Sequence, residues 1–439
     1  MGGTQTVLDR ASVQTHRTGY IELVRGNAPF RCLWFGQIVS LMGDWLNLIA
    51  SATLVSSLTE SGMAVGALFV VRWLAPFLIS PVAGVAADRY DRRKLLILTD
   101  LGRGVVVLGF LLVQDARDVW LLYGLTAVQL AMSGFFFPAR NAILPNLVSP
   151  KELGAANALG SATWSVMLAL GTGFGGLVAG AFGVYTAFLI DASSFFLSAL
   201  FIARISYHAP GVTERTDTSI RNAMGQYVEG LSYLRHRLDV LAIVLHKTAL
   251  ALTTSGALHV AQVALAKRVF VIGKGGAISM GLMFAVVGLG TGIGPIIARR
   301  YTRDRDRFLR IAIALSFLMT AMGVAIAAPL FNFGTVLTGI LLRGVGGGII
   351  WVFSTQLLME LVPNHIQGRV FATEFALFTL AGAISAAMGG WSIDYPAVGL
   401  GGTLWWMACL CLVPAILWGL CMMRLRGPCR VGHSEKAQE

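Results

Sequence analysis

Four ionisable residues lie deep inside segments that are otherwise apolar: Asp44, Arg72, Asp191 and Arg343. Each lies 12 or 13 residues from the predicted inner end of its segment, a depth of roughly 18–20 Å at about 1.5 Å per residue. An ionised group inside a bilayer is costly unless it has a partner or a water-filled cavity. Four charges at one depth therefore indicate a functional layer near the middle of a membrane.

Asp44, Arg72 and Asp191 are the candidates for proton coupling. Because burial favours a neutral carboxyl group and a nearby cation favours the ionised form, movement of Arg72 relative to Asp44 would load and release a proton. The alternative is a permanent structural pair between these two residues.

Arg343, Gln129 and Trp45 are the candidates for a substrate cavity. Arg343 opens a glycine-rich run that ends at Gly348, and glycines leave room around a side chain. This arginine could receive an anionic group of a substrate, or it could extend to the membrane surface or pair with Glu374. Gln129 occupies the position equivalent to Arg343 in an internal repeat. Trp45 lines a cavity or packs between helices.

The composition indicates the kind of protein that must position these residues. Of 439 residues, 56% are apolar and only 13% are charged, about half the usual charged share of a soluble domain. This balance excludes a disordered chain, a coiled coil and an ordinary cytosolic enzyme. The net charge of +12 is expected in loops beside anionic lipid rather than on nucleic acid.

Hydropathy predicts an all-α membrane protein with twelve spans, each long enough to cross the hydrocarbon core. The predicted spans are 31–57, 62–84, 95–113, 119–139, 155–179, 182–204, 240–265, 275–298, 308–328, 334–356, 366–390 and 400–423. Of the 34 Lys and Arg residues, 26 lie in tails and loops on the side of the termini and 4 on the opposite side. Such a bias predicts that both termini are cytoplasmic.

The spans fall into two pseudo-symmetric bundles of six helices. The longest polar connection separates them, and Leu147-Val148 matches Leu361-Val362 at an offset of 214. Duplicated bundles are typical of secondary transporters, which bind substrate between the halves. The predicted organisation is a cytoplasmic tail, a bundle, a cytoplasmic connection, a second bundle and a second tail, at 1–29, 30–204, 205–239, 240–423 and 424–439.

The loop after span two resembles the cytoplasmic signature of the major facilitator superfamily. Its matching residues are Gly84, Asp88, Arg89, Arg92 and Arg93, although aspartate stands where the family usually has a second glycine. The resemblance implies the major facilitator fold and a gating role for this loop, which in the family holds the halves together in one state. The alternative is a solvated basic turn.

Further motifs resemble the branch that contains the enterobactin exporter and the macrolide efflux proteins. They are Gly43-Asp44-Trp45, the segment 137–145, the segment 191–195 and the segment 368–371. The resemblance implies outward movement of a siderophore or a macrolide-like drug, and it gives Asp191 a helix-packing role as an alternative to proton coupling.

These observations predict a multi-pass transporter of the inner membrane that exports a small organic molecule by alternating access in exchange for protons. A carrier of lysophospholipid or another lipid, and a proton-coupled importer, are the alternatives; a channel or a membrane enzyme is more distant. We expect a monomer with the proton gradient as its energy source. We expect no cofactor, metal site, catalytic residue or nucleic-acid partner.

Overall fold

The computed structural model describes residues 19–206, 225, 232–302 and 305–424. Within these ranges the chain forms helices and turns, and no strand occurs. Twelve helical segments are long and apolar enough to cross a membrane, which confirms the predicted fold of a multi-pass membrane protein. A short helix, Tyr20–Gly26, precedes span one at a place where the sequence predicted only a tail.

The first half contains spans one to six. Their helices are Ala28–Thr59, Gly62–Arg89, Arg92–Gly109, Val119–Leu147, Leu153–Phe182 and Val184–Ala203. Span three continues into the 3-10 turn Phe110–Leu112.

The second half contains spans seven to twelve. Span seven consists of three consecutive pieces: the α-helix Leu238–Leu250, the π-helical turn Ala251–Ser255 and the α-helix Gly256–Arg268. Spans eight to twelve are Ala277–Thr302, Asp306–Ala327, Phe333–Leu361, Asn364–Asp394 and Gly399–Arg424.

Several helices are longer than their predicted apolar segments. Span four was predicted to end at 139 and continues to Leu147, and span two reaches Arg89 rather than 84. Helical hydrogen bonding does not stop where the apolar core of a membrane ends, so hydropathy underestimates helix length. Most of the predicted tails and of the connection between the halves lies outside the described residues.

Three apolar cores show how the halves meet. We call the membrane face that carries the turn between spans one and two the distal face, and the face where span one begins the proximal face. Toward the distal face, both halves share one core, which contains Val55, Phe69, Phe188, Val263 and Met283. Toward the proximal face each half has its own core, with Leu33 and Ile143 in the first and Ile243 and Phe353 in the second.

Close helix contacts between the halves run from the distal face to the middle of the molecule. Spans five and eight approach so closely that a Cβ atom on Gly281 would lie 2.6 Å from the carbonyl oxygen of Thr172. Spans two and eleven meet in the same way at Gly66 and Gly390. Further toward the proximal face, a Cβ atom on Gly292 of span eight would meet nothing within 4 Å. The halves therefore separate toward the proximal face.

Candidate functional site

A buried acid–base cluster joins four spans of the first half. The guanidinium of Arg103 forms ion pairs with Asp100 on its own helix and, at 3.4 Å, with Asp44 of span one. It also donates a hydrogen bond of 3.1 Å to the hydroxyl of Ser133. Asp100 accepts a second hydrogen bond, of 2.6 Å, from Ser198. Arg103 and Asp100 are almost fully enclosed, whereas 23% of the Asp44 side chain is exposed.

The predicted direct pairing of Asp44 with Arg72 is wrong in this conformation. Asp44 pairs with Arg103, and Arg72 forms no ion pair with a described residue. Asp100 and Arg103 lie one helical turn apart on span three, so their ion pair is a local contact. Spans one and three both pack against span six, and this common neighbour brings Arg103 within reach of Asp44.

Asp191 lies on span six beside the same cluster and is fully buried. Its carboxylate faces Gly43 of span one, where an added Cβ atom would lie 2.3 Å from Oδ1. Neither carboxylate oxygen has a partner with full hydrogen-bond geometry, although the amide group of Asn47 lies beside the carboxylate and the charges of Asp44 and Arg72 both act on it. Asp44 and Asp191 thus lie on neighbouring helices, and the charges of both act on Arg72. Arg103 is the member of the cluster that the prediction lacked.

Arg343 lies on span ten and faces the π-helical turn of span seven. Its guanidinium donates hydrogen bonds of 3.1 Å to Thr254 and 2.8 Å to Ser255. The predicted alternative of pairing with Glu374 is wrong, because Glu374 forms an ion pair of 2.9 Å with Lys247.

The other two predicted cavity residues, Gln129 and Trp45, pack within the first half. Gln129 is only 1% exposed, and its side-chain oxygen has no hydrogen-bond partner. Trp45 packs against Gly171 and makes an edge-to-face contact with Trp164, with 5.9 Å between the ring centroids. In this conformation Gln129 is enclosed within the first half, and Trp45 lies between spans one and five.

The predicted gating motif is described in part. Gly84, Asp88 and Arg89 belong to the helix of span two, but the surroundings of Gly84 and the side chains of Asp88 and Arg89 lie outside what the structure describes. Arg92 donates a hydrogen bond of 2.9 Å to the carbonyl oxygen of Ala142 in span four. Arg93 donates to the carbonyl oxygens of Ile202, at 3.4 Å, and of Ala203 in span six. These two arginines connect the loop to other helices of the same half.

The buried pair of Lys247 and Glu374 was not predicted from the sequence. Both side chains are about 5% exposed. Lys247 also donates a hydrogen bond of 2.7 Å to Thr355, and its Nζ atom lies 4.6 Å from the ring centroid of Trp351. Lys247 is nine residues from the proximal start of its helix at Leu238, and Glu374 is ten from Asn364. Two opposite charges at nearly the same depth could therefore have indicated this pair from the sequence.

A contact that we call the distal clamp holds the halves together at the distal face. The carboxylate of Asp394, at the end of span eleven, accepts hydrogen bonds of 2.9 Å from the backbone N–H groups of Gly62 and Met63 and of 2.8 Å from Ser61. It also forms an ion pair of 3.3 Å with Arg268. A carboxylate at a helix N-terminus is favoured by the unpaired N–H groups and the helix dipole.

Comparison with known proteins identifies the class that this fold and site define. The profile of the Major Facilitator Superfamily matches residues 33–389, and the chain belongs to this family of membrane transporters. Among the described residues no group of His, Cys, Asp and Glu side chains could hold a metal ion.

Individual relatives are similar over nearly their whole length. An uncharacterised transporter of this superfamily from Bacillus subtilis, YfiS, is 27% identical over 89% of this chain and 92% of its own length. The putative bacilysin exporter BacE of Bacillus subtilis is 25% identical, covering 81% of this chain and 86% of the relative. Macrolide efflux protein A of Streptococcus pyogenes is 21% identical, and the match covers 88% of this chain and 94% of the relative. The last match confirms the predicted resemblance to the macrolide efflux branch.

A solved structure shares the fold. The bacterial homologue of the human lysosomal transporter Spinster, in an inward-facing and unoccupied conformation, has a TM-score of 0.70. It is 14% identical, and the match covers 90% of this chain and 96% of that protein.

Proposed function

We propose that the protein exports a small organic molecule across the inner membrane by alternating access, in exchange for protons. The observation that carries this proposal is the arrangement of the three apolar cores. A shared distal core with separate proximal cores is what a transporter closed on one side and open on the other requires. The excess of basic residues on the side of the termini supports a cytoplasmic proximal face and cytoplasmic termini.

Asp44 is the proposed site of the exchanged proton. It is the acid of the cluster that is partly exposed, and its only ion pair with a described residue is the 3.4 Å contact with Arg103. Protonation would remove this attraction and free span one to move relative to span three. Arg103 therefore takes the role that was predicted for Arg72, while the charges of Arg72 and Asp100 also act on Asp44.

Outward transport of an antibiotic-like molecule is supported by the relatives whose names describe exporters of bacilysin and macrolides. A siderophore is the second candidate, because buried arginines near the middle of the fold suit a chelating anion. A lipid-like substrate and proton-coupled import remain the rival hypotheses.

The experiment compares a deletion strain with strains that carry the wild-type gene or the Asp44→Asn gene. Antibiotic susceptibility is measured in rich medium, and secreted metabolites are measured in iron-poor medium. We expect the deletion to raise susceptibility or to remove an extracellular metabolite, and we expect only the wild-type gene to restore it. Retention of a compound outside the deleted cells would indicate import. No phenotype in either medium would count against export of either class.

A further inference from the structure

We propose that Arg343, His259 and Arg72 form a subsite for the carboxylate of an amphipathic organic anion, beside an aromatic surface that binds its apolar body. This inference rests on the proposed transport function and specifies the class of substrate. It is carried by side chains from three spans that each have a buried nitrogen atom without a hydrogen-bond partner, and the charges of Arg343 and Arg72 both act on His259.

Arg343 differs from the buried cations Arg103 and Lys247, which have carboxylate partners. Arg103 pairs with two carboxylates and Lys247 with one. Arg343 is 6% exposed and forms no ion pair with a described residue; two hydroxyl groups are its hydrogen-bond partners, and its Nε atom has none. A buried cation without a counter-ion is costly. A bound anion would remove this cost.

The π-helical turn of span seven prepares the position of this guanidinium. Such turns are rare and occur frequently at functional sites. The turn ends at Ser255, and the hydroxyls of Thr254 and Ser255 each also bond to the carbonyl oxygen of Leu250, at 3.0 and 3.4 Å. These hydroxyls donate to the backbone while accepting from Arg343, so they orient the arginine without neutralising it.

His259 lies one helical turn after Ser255 on the same helix face. Its Nδ1 atom is buried and has no hydrogen-bond partner. The positive charges of Arg343 and Arg72 both act on its ring. Arg72 belongs to span two of the other half, and its Nη1 atom is also buried without a partner. Both halves thus contribute buried nitrogen atoms without a partner, and a carboxylate would accept hydrogen bonds from those that carry a proton.

Aromatic side chains continue from this group toward the proximal opening. Trp73 stacks on His259 with an interplanar angle of 13°, and it meets Phe378 edge-on at 5.0 Å between ring centroids. Phe378 in turn lies 5.1 Å from Trp351, a residue that is 42% exposed. A binding site with a few convergent polar groups and an aromatic wall is typical for small organic ligands. An inorganic anion would leave this wall unused.

The test measures binding to the purified full-length protein in nanodiscs by calorimetry. The probes are 2-naphthylacetate, its uncharged amide and inorganic phosphate. We expect the carboxylate to bind at least about tenfold more tightly than the amide, and phosphate to bind far more weakly. In Arg343→Gln the carboxylate should lose this advantage, whereas Arg300→Gln, at an exposed site near the proximal end of span eight, should keep it.

Several outcomes would overturn the subsite. These are equal binding of carboxylate and amide, no binding of the carboxylate at millimolar concentration, a carboxylate preference that survives in Arg343→Gln, and phosphate binding as tightly as the naphthyl probe. Should Arg343→Gln fail to fold, Arg343→Lys and Trp73→Leu replace it; each should weaken carboxylate binding. Because binding at equilibrium needs no proton gradient, a negative result beside intact Asp44-dependent transport would reject only the substrate class.

Discussion

The carboxylate of Asp44 lies 3.4 Å from Nη1 of Arg103, and this contact joins a partly exposed acid to an otherwise enclosed ionic cluster. Arg103 is held in place by Asp100, by Ser133 and by stacking on Phe195, whose ring centroid lies 4.2 Å away. Asp44 is the member that can change its contacts at the smallest cost, because 23% of its side chain is exposed.

Asp44→Asn should abolish proton-driven transport while leaving a folded protein that binds substrate. The asparagine retains the shape of the side chain but removes the ionisable group. Transport driven by a pH gradient is measured in proteoliposomes, and substrate-for-substrate exchange is measured without a gradient. Exchange should persist and gradient-driven accumulation should disappear. The matched variant Asp115→Asn, at an exposed distal position, should behave like the wild type. Undiminished gradient-driven transport in Asp44→Asn would reject the coupling role.

Arg103→Gln should destabilise the protein strongly, because it leaves Asp100 buried without its counter-ion. Breaking a buried ion pair on one side costs about 3–5 kcal/mol. Unfolding of the purified protein by heat and by denaturant measures this loss. The double variant Arg103→Gln with Asp100→Asn should recover much of the stability, since the orphaned charge is removed. Equal stability of the single variant and the wild type would show that the cluster does not require its cation.

The fold and the depth of the charges could be predicted from the sequence, whereas their pairing could not. Hydropathy locates a residue along the membrane normal, and it predicted a common level for Asp44 and Asp191. In the structure the carboxylate of Asp191 lies against Gly43, the residue before Asp44. It carries no information on which helices are neighbours, so the contact of Asp44 with Arg103 was missed. The π-helical turn before Gly256 was equally invisible, because it changes the backbone and leaves the apolar pattern intact.

Lys247 and Glu374 should prove interdependent for stability. Glu374→Gln leaves a buried lysine with Thr355 as its hydrogen-bond partner, and Lys247→Met leaves a buried glutamate. Each single change should cost about 3–5 kcal/mol, and the double variant should be more stable than either. Denaturant unfolding of all four proteins gives the coupling energy. Additive losses in the double variant would mean that the two charges do not support each other.

Asp394→Ala should shift the protein toward a form that is open at the distal face. The change removes the acceptor of the distal clamp, and the loss of such a cap costs about 1 kcal/mol or more. Spin labels on cysteines introduced at Arg117 and Phe331, in a background without the native cysteines, report the distance between the distal ends of the halves. The population at longer distance should rise several-fold.

Asp115→Ala is the control for the distal clamp, because this residue lies in a turn within the first half. It should leave the distance distribution unchanged. An unchanged distribution in Asp394→Ala as well would mean that the distal clamp is not needed to keep the distal face closed, and that apolar contacts and the contacts of Lys267 and Arg268 with span one are sufficient.

Gly281→Ala should hinder closure of the distal interface, whereas Gly292→Ala on the same helix should be tolerated. The new Cβ atom at Gly281 would lie 2.6 Å from a backbone oxygen of span five, and backbone cannot move aside as a flexible side chain can. Overpacking of this kind costs about 1–3 kcal/mol. At Gly292 nothing lies within 4 Å, and alanine favours the helix by up to about 1 kcal/mol. Thermal unfolding and transport of both variants test the difference. A loss of stability in Gly292→Ala as large as that in Gly281→Ala would contradict the observed separation of the halves, because Gly292 would then have to be in close contact with another helix.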